Sequence, residues 1–523
     1  MSEESNDENK IEKITNEVDS NVDRESGEIP ELGLSRRDFL KGASGVVAGS
    51  MIGGGMLIKG APAIAAPESK TVDIGFIEDL SGNLAIYGLQ KYHAAQLAVA
   101  EINQGLTLAG GPVGVGGFAS MGQQAKKPPL VKLNPGSGEI ETVDDGGDAT
   151  ESGILYGEAD DILIDSGEKG LLGKEVNLMA PDGQSNNRLW QQLSRKLIQQ
   201  DKVDVLVAGF TSAEREAIRP IVDRSKQLYF YTNQYEGGVA DEFTFCTGAV
   251  CEQQVIPVVQ YMVENYGPRG FTIAADYNFG QLTAAWVRAY TPLVGGEIVG
   301  EEFVPLSVSQ FSQVISKVQS AKPDWVMTLL VGQNQSNYYP QAAAAGLKFP
   351  MASTINMAQG YEHLRFNTPS LARMHNAVNY MAEIPTARNK AFVKRFFKMF
   401  PKDPYLGQMA QNTYFSIHLY AKAVRLAGTT DQETVRKVLE SGWVVEAPEG
   451  AVFLEPGTHH ASHYIRMAKA DEDHNISFVR DWPTIEAWWL QRLGVNLVRH
   501  PEHKQYTPQE DQFFPMLQKM ASK

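Results

Sequence analysis

Short apolar runs alternate along this chain with longer segments whose hydrophobic positions recur at helical spacing. Residues 72–77 form a short apolar run that is typical of a buried strand. A turn at 79–82 follows, and the pattern then predicts a helix from about Tyr87 to Asn103. The apolar positions of this helix share one face: Leu89, Tyr92, Ala95, Val99 and Ile102. A buried strand followed by an amphipathic helix indicates an α/β protein.

The same alternation runs twice more after residue 170. The first series predicts strands at 176–180, 203–208 and 228–232, with helices at 188–200 and 213–225. The second series predicts helices at 253–266, 280–293, 309–321 and 336–346, with strands at 271–275, 297–304, 325–331 and 350–355. Consecutive β-α-β units form parallel sheets with right-handed crossovers. The sequence therefore predicts two α/β halves.

Three segments break this pattern. Residues 106–170 are rich in Gly, Asp and Ser, and 154–164 alternates as a hairpin would, which predicts an inserted loop or small β subdomain. Helices near 388–400 and 407–427 follow the second half, and residues 450–479 resemble short antiparallel strands. The tail, 486–523, has no clear periodicity and is expected either to wrap a lobe or to fray.

The N-terminal segment has the features of an export signal. Residues 1–34 are acidic and polar, which predicts disorder. The run Ser35-Arg36-Arg37-Asp38-Phe39-Leu40-Lys41 matches the twin-arginine motif, and a Gly-rich apolar stretch and Ala63-Ile64-Ala65 follow it. Residues 1–65 are therefore predicted to be a twin-arginine signal peptide with an acidic extension. The mature chain is expected in the periplasm or another extracytoplasmic space, without direct membrane insertion.

Charge and composition narrow the range of functions. The 523 residues have a formal net charge of -15, so nucleic acid and anionic membranes are not expected partners. The chain has two cysteines, Cys246 and Cys251, which is too few for a typical structural zinc site. In an oxidising compartment they could form a disulfide, or they could be two small apolar side chains beside a turn.

A histidine cluster offers one alternative to a binding protein. His459, His460 and His463 could bind a metal in an exported enzyme, or they could be surface histidines. No HExxH, GxSxG or P-loop motif accompanies them, so we expect neither catalysis, nor a metal, nor a cofactor. A cytoplasmic regulator is disfavoured by the export motif, and a receptor ectodomain by the lack of a spanning helix after residue 66.

Several segments together resemble the type I periplasmic binding-protein family, which includes branched-chain amino-acid, amide and urea binders. They are Ile74-Gly75-Phe76-Ile77, the 98–103 helix end, 203–209, 276–280 and 344–347. The likeness spans about 71–485 apart from the insert. Tyr231-Thr232-Asn233-Gln234-Tyr235-Glu236-Gly237, 447–452 and 459–462 look like the urea and short-amide branch. The sequence departs from that branch at Asn233-Gln234, where the amide binders favour Thr-Pro.

The resemblance implies two Rossmann-like lobes with parallel sheets joined by a three-segment hinge near 248–252, 383–388 and 443–450. Lobe 1 would comprise 71–250 and 385–445, and lobe 2 would comprise 251–384 and 446–485. The implied protein is the binding subunit of an ABC uptake transporter. It would deliver urea or a short-chain amide to membrane permease subunits. The alternative solute is a branched-chain or other amino acid.

Polar and aromatic residues follow several predicted strands, where a parallel sheet directs its strand ends into one crevice. Helix N-termini and amide side chains there can bind a small polar solute. Ser212 and Asp276 could instead cap helices, and the residues after the 228–232 strand could serve a turn or the core. The predicted ligand-binding residues are Ser81, Phe210, Thr211, Ser212, Tyr231, Asn233, Gln234, Tyr235, Asp276, Tyr277 and Gln333.

Overall fold

The computed structural model describes residues 69–112, 130–134, 139–144 and 162–504. The predicted signal peptide lies outside these residues, as do much of the insert and the last part of the tail. The strands are β1 (Thr71–Ile77), β2 (Leu106–Leu108), β3 (Gly110–Pro112), β4 (Leu130–Asn134), β5 (Glu139–Asp144), β6 (Leu163–Asp165), β7 (Glu175–Met179), β8 (Val205–Ala208), β9 (Tyr229–Tyr231), β10 (Thr244–Cys246), β11 (Arg269–Ala275), β12 (Glu297–Val304), β13 (Trp325–Leu329), β14 (Met351–Ser353), β15 (Met374–Val378), β16 (Trp443–Ala447), β17 (Gly450–Leu454), β18 (Ala461–Ala470) and β19 (Ile476–Ile485).

The helices begin and end close to the predicted positions. They are α1 (Ala85–Gln104), α2 (Asn187–Arg195), α3 (Ser212–Ser225), α4 (Cys251–Tyr266), α5 (Asn278–Tyr290), α6 (Ser312–Ala321), α7 (Gln333–Ala344), α8 (Glu362–Arg365), α9 (Ala387–Met399), α10 (Gln408–Ala427), α11 (Gln432–Leu439) and α12 (Trp488–Arg492). Within the described ranges, no helix combines the length and apolar character needed to cross a membrane.

The first sheet is parallel and has the strand order β10-β9-β8-β1-β7. Its central strands are buried on both faces, which explains why 74–77 of β1 and all of β8 consist of apolar residues and glycine. Helix α1 packs against this sheet and against the long buried helix α10. One predicted face position is wrong, because Leu89 of α1 is 40% exposed. We call this sheet and the helices α1–α3 and α9–α11 the first lobe.

The second sheet is mixed: it joins the parallel strands predicted for the second half to the antiparallel strands predicted at 450–479. Strands β12-β11-β13-β14-β15 are parallel, and β18 then pairs antiparallel with β15. The antiparallel part arises because β17, β18 and β19 follow one another as neighbouring strands. We call this sheet and α4–α8 the second lobe. The chain passes between the sheets after β10, after β15 and at β16, which gives the three-segment hinge.

Three of the five described strands of the insert, β3, β4 and β5, belong to the second sheet. β2 pairs with β6, β3 pairs with β16, and β4 pairs with both β5 and β19. The insert is therefore joined to the second sheet through β4 and to the β16–β17 hairpin through β3. The hairpin predicted at 154–164 lies mostly outside the described residues.

The two cysteines are free and buried, so the structure gives no support to the predicted disulfide. Cys246 packs in the first-lobe cluster that contains Tyr235, whereas Cys251 packs in the cluster of the second lobe. Burial raises the pKa of the Cys246 thiol to about 12. The alternative interpretation, two small apolar side chains, agrees with this packing.

The histidine cluster is buried, so the expectation of surface histidines was wrong. His459, His460 and His463 are at most 2% exposed, and each has its own partner. His459 Nε2 lies 3.1 Å from Glu440 Oε1, and His463 Nδ1 lies 2.9 Å from Glu449 Oε1. In the part of the chain that the structure describes, no group of three or more His, Cys, Asp or Glu side chains is arranged to hold a metal ion.

The described part of the tail packs against both lobes and does not fray. Trp489 of α12 stands edge-on to Trp286 of α5, with ring centroids 5.3 Å apart. Its backbone N–H donates to Glu252 Oε1 at 2.9 Å. Leu490, with later tail residues, forms a small apolar cluster with Ala240 of the first lobe.

Candidate ligand site

A small cavity lies where the carboxyl ends of the two sheets face each other. Both lobes contribute to it, and every side chain around it is uncharged. The first lobe contributes Tyr87, Phe210, Thr211, Ser212, Asn233 and Gln234, and the second contributes Tyr277, Phe279, Val331, Ile355 and Gln359. Six of the eleven predicted ligand-binding residues are therefore gathered at one cavity.

The loop from β8 to α3 is held in one conformation by its own polar groups. Gly209 has φ +96°, and a Cβ there would lie 3.0 Å from the Tyr231 ring, so glycine is required. Thr211 caps α3 and forms a capping box with Glu214. Glu214 Oε2 accepts the N–H groups of Thr211 at 2.8 Å and Phe210 at 3.3 Å. These two N–H groups are therefore already occupied and are not available to a solute.

Ser212 is the first residue of α3 and is not its N-cap. Its hydroxyl donates to Glu236 Oε2 at 2.6 Å. Arg215 Nη2 donates to the other oxygen of Glu236 at 2.7 Å, and both side chains of this ion pair are fully buried. Ser212 thus lies between the cavity on one side and a buried ion pair on the other.

Two amide side chains present oxygen atoms without protein partners. Asn233 Nδ2 donates to the carbonyl oxygens of Phe210 at 2.5 Å and Gln234 at 3.1 Å. Those two contacts fix which end of the Asn233 amide is nitrogen. Asn233 Oδ1 and Gln234 Oε1 are buried and have no hydrogen-bond partner in the protein. A buried acceptor without a partner is costly, so a donor from the solute would stabilise the site.

Tyr87 connects the two lobes and was not predicted as a site residue. Its ring stacks on Phe210 with centroids 4.2 Å apart and planes 10° apart. Its hydroxyl donates to Gln335 Oε1 at 3.3 Å and accepts the Gly332 N–H at 3.2 Å, and both of those residues belong to the second lobe. The hydrophobic pattern placed Tyr87 at the start of a helix and carried no signal of this cross-lobe contact.

Two predicted contact residues lie behind the cavity. Tyr231 and Tyr235 are buried and are not among the lining residues. Their rings flank the Arg215 guanidinium, whose carbon lies 5.0 Å and 4.6 Å from the two ring centroids. The Tyr231 hydroxyl donates to the Phe210 carbonyl, and the Tyr235 hydroxyl lies 2.5 Å from His460 Nε2. Both tyrosines therefore support the site without lining it.

Three further predicted residues lie away from the cavity. Ser81 is exposed and donates to Asp182 Oδ2 at 2.5 Å. Asp276 is exposed and accepts from Gln281 Nε2 at 2.8 Å. Gln333, the first residue of α7, is also exposed and absent from the lining. Their positions at strand ends were read correctly, but their side chains extend into solvent.

The second lobe supplies a mostly apolar wall. Tyr277 lies at the turn between β11 and α5, and Phe279 follows it within α5. Val331 comes after β13 and Ile355 after β14, which places all four at carboxyl ends of parallel strands. Only Tyr277 of this group was predicted as a site residue. Valine, isoleucine and phenylalanine in the sequence indicate the hydrophobic core and not a binding site.

The sequence of this chain matches a family of known proteins. The family model described as periplasmic binding protein matches residues 71–475. This chain belongs to the periplasmic binding protein family. A Leu/Ile/Val-binding protein homolog 6 from Brucella abortus (strain 2308) is 21% identical over 294 residues, which cover 54% of this chain and 74% of the relative. The predicted resemblance to type I periplasmic binding proteins is thereby confirmed at the level of the family.

Solved periplasmic binding proteins share the fold. A solute-binding protein of an ABC transporter from Rhodopseudomonas palustris BisB5, in complex with 3,4-dihydroxybenzoic acid, has a TM-score of 0.61 at 19% identity, covering 80% of this chain and 98% of that one. The leucine-binding protein LivK from Thermotoga maritima MSB8 has a TM-score of 0.60 at 15% identity, covering 79% and 99%. These solved structures show that the periplasmic binding protein described here shares their fold. The family match makes it an extracytoplasmic binding protein and not an enzyme.

Proposed function

We propose that this periplasmic binding protein captures urea or a short-chain amide between its lobes and delivers it to the permease of an ABC uptake transporter. The observation that carries the proposal is the uncharged lining of the cavity. A charged solute in a water-poor site needs an opposite charge or several hydrogen bonds to offset its lost hydration. A neutral solute needs only matched donors and acceptors.

The polar groups of the lining suit an amide. Asn233, Gln234 and Gln359 are amides themselves, so each can donate and accept hydrogen bonds as urea does. Two of these amides offer oxygen atoms that have no protein partner. The aromatic pair Tyr87 and Phe210 provides a flat apolar surface beside them.

A branched-chain amino acid is the second candidate, and the names of the Leu/Ile/Val-binding relatives support it. Such a ligand needs a carboxylate for its ammonium group. Asp276 is exposed and outside the cavity, and Glu236 already contacts both Arg215 and Ser212. A benzoate, as bound by some neighbours of similar fold, would need a cation, and none lines this cavity in the described residues. These contacts favour the neutral solute.

Export supports the transport role. The twin-arginine motif of residues 35–41 would bring the folded protein to the same side of the membrane as the incoming solute. Closure of two lobes around a ligand changes the outer surface of the protein, and a permease can recognise that change. We therefore propose that the solute-bound, closed form is the one that engages the permease.

Isothermal titration of the mature chain with urea, acetamide, propionamide, leucine and benzoate tests the proposed solute. We expect saturable one-site binding of urea or an amide, and weaker or no binding of leucine and benzoate at the same concentrations. Binding of leucine without binding of urea or any amide would contradict the proposed solute and would favour the second candidate.

A further inference from the structure

Two buried ion pairs join helix α3 to the segment that follows β9. Arg215 pairs with Glu236 at 2.7 Å, and one helical turn later Arg219 pairs with Asp241 at 2.6 Å. The first pair is fully buried and the second is at most 10% exposed. The first pair contacts a residue that lines the ligand cavity, because Glu236 accepts the Ser212 hydroxyl. The second pair therefore provides a matched comparison for the first.

The Glu236 contact fixes which hydrogen bond Ser212 can offer a solute. A serine hydroxyl has one proton and two lone pairs, whereas a carboxylate only accepts hydrogen bonds. The 2.6 Å contact between Ser212 Oγ and Glu236 Oε2 must therefore use the serine proton. Arg215 Nη1, at 3.4 Å, donates to one lone pair of Ser212 Oγ. One lone pair then remains as an acceptor, and Ser212 is one of the residues that line the cavity.

The carboxylate of Glu236 is itself held in place. Arg215 Nη2 binds its second oxygen, and the guanidinium lies between the rings of Tyr231 and Tyr235. Stacking and hydrogen bonding in a buried site leave the guanidinium little freedom. Burial alone would lower the pKa of Arg215, but Glu236 and the neighbouring groups raise it well above its usual value, so the cation persists.

We propose that Glu236 and Arg215 are positioning residues that make Ser212 an obligate hydrogen-bond acceptor, so that the site selects solutes presenting an N–H or O–H group at this point and rejects their carboxylate counterparts. Neither residue lines the cavity, and both act through Ser212. The inference rests on the proposed function, because the proposed function places the solute in this cavity. It does not require the solute to be urea or an amide.

The variant Glu236→Gln reverses the polarity at Ser212. Arg215 still needs an acceptor, so the glutamine oxygen turns to the guanidinium and the glutamine NH₂ group faces Ser212. Ser212 then accepts from glutamine, and its own proton becomes available to the solute. The acetamide-to-acetate affinity ratio should be at least about tenfold in the wild type, since a mismatched buried polar pair costs about that much. In Glu236→Gln the ratio should fall about tenfold or more.

The matched control is Asp241→Asn, which weakens the second ion pair without touching Ser212. Both variants should unfold at lower temperature, but only Glu236→Gln should change the ratio. An equal change of the ratio in both variants would show a general loss of structure and would overturn the proposal. If Glu236→Gln fails to fold, Ser212→Ala replaces it, with Ser194→Ala, a buried serine of α2 bonded to the Trp190 carbonyl, as its control. Ser212→Ala alone should weaken acetamide about tenfold.

The probe pairs separate this inference from the proposed solute. If leucine binds and amides do not, the proposed solute fails, and the same ratio is measured with leucine and 4-methylpentanoate, which lacks the ammonium donors. A tenfold loss of that preference in Glu236→Gln would still support the role of Glu236. The role of Glu236 would be overturned if the wild-type protein bound acetate as tightly as acetamide. The same holds if it bound 4-methylpentanoate as tightly as leucine. Absence of binding by every probe would overturn both proposals.

Discussion

The two walls of the cavity differ in chemistry and in what lies behind them. The first-lobe wall presents hydroxyl and amide groups, and its Ser212 is bonded directly to a buried ion pair. The second-lobe wall consists of Tyr277, Phe279, Val331 and Ile355, with Gln359 as its only amide. Among the described residues, none of these five takes part in an ion pair.

Because of this difference, we expect the two walls to have different roles in solute binding. Oriented hydrogen-bond groups lose little freedom on binding, and so they discriminate between solutes by their donors and acceptors. An apolar wall contributes to the binding free energy by excluding water when the lobes close. This contribution depends little on the donors and acceptors of the solute. We therefore expect the first lobe to determine selectivity and the second lobe to determine closure. Three substitutions test this expectation, in decreasing order of expected effect.

The largest effect is expected from Lys91→Met. Lys91 forms a fully buried ion pair with Glu78, and its Nζ donates to the Gly209 carbonyl at 2.9 Å at the start of the β8–α3 loop. Removing the cation breaks this buried pair and leaves the Glu78 carboxyl buried without its partner, which costs about 3–5 kcal/mol of unfolding free energy. Unfolding in guanidinium chloride measures this loss, since urea is itself a proposed ligand. Lys196→Met, which breaks the partly exposed pair with Asp201, should cost at most about 1 kcal/mol.

The intermediate effect concerns pH. Burial, with the nearby Asp79 carboxylate, raises the pKa of Glu214 to about 8, and burial raises that of Glu78 to about 7. A carboxyl whose folded-state pKa is raised binds its proton more tightly in the folded state. Its contribution to stability is complete below about pH 4.5 and is lost as the pH rises through 7 to 8.

Glu214→Gln tests this pH dependence, because glutamine can still accept the Thr211 N–H but cannot ionise. Wild-type unfolding free energy should fall between pH 5 and pH 8, with Glu214 accounting for up to about 4 kcal/mol. The variant should show a flatter profile. Glu264→Gln, at an exposed carboxyl of α4, should keep the wild-type slope, and an equally steep slope in Glu214→Gln would contradict the assignment.

The smallest effect is expected at the contact between the lobes. Tyr87→Phe removes the hydroxyl that bonds Gln335 and Gly332 but keeps the ring stacked on Phe210. One such hydrogen bond is worth about 0.5–1.5 kcal/mol, so solute affinity should fall about 2- to 10-fold with selectivity unchanged. Tyr229→Phe loses a bond to the Ala208 carbonyl within the first lobe and should leave affinity unchanged. A change in the acetamide-to-acetate affinity ratio in Tyr87→Phe would contradict the claim that selectivity and closure depend on different walls.

The sequence predicted the strand ends well because apolar runs and the helices between them fix where each parallel strand stops. That is why Phe210, Ser212, Asn233 and Tyr277 were placed together before the structure was known. The antiparallel strands predicted at 450–479 are present, since β17 pairs antiparallel with β18. The hydrophobic pattern did not indicate that β18 would also join the parallel strands of the second sheet through β15.

Side-chain direction was the weaker part of the prediction. A strand buried on both faces gives no period that separates a cavity-facing tyrosine from one behind it, as Tyr231 shows. The buried histidines were misread because their partners, such as Glu440 for His459, come from other elements. Tyr87 was missed for the same reason, since its partners in α7 lie 245 and 248 residues away.

Small-angle X-ray scattering during a titration tests the central claim, that two α/β lobes close on a small neutral solute, most directly. Adding acetamide or urea to the mature chain should reduce the radius of gyration in a saturable way, at the concentrations where calorimetry shows binding. A scattering profile that stays the same at saturating solute, or that changes equally with acetate, would contradict it.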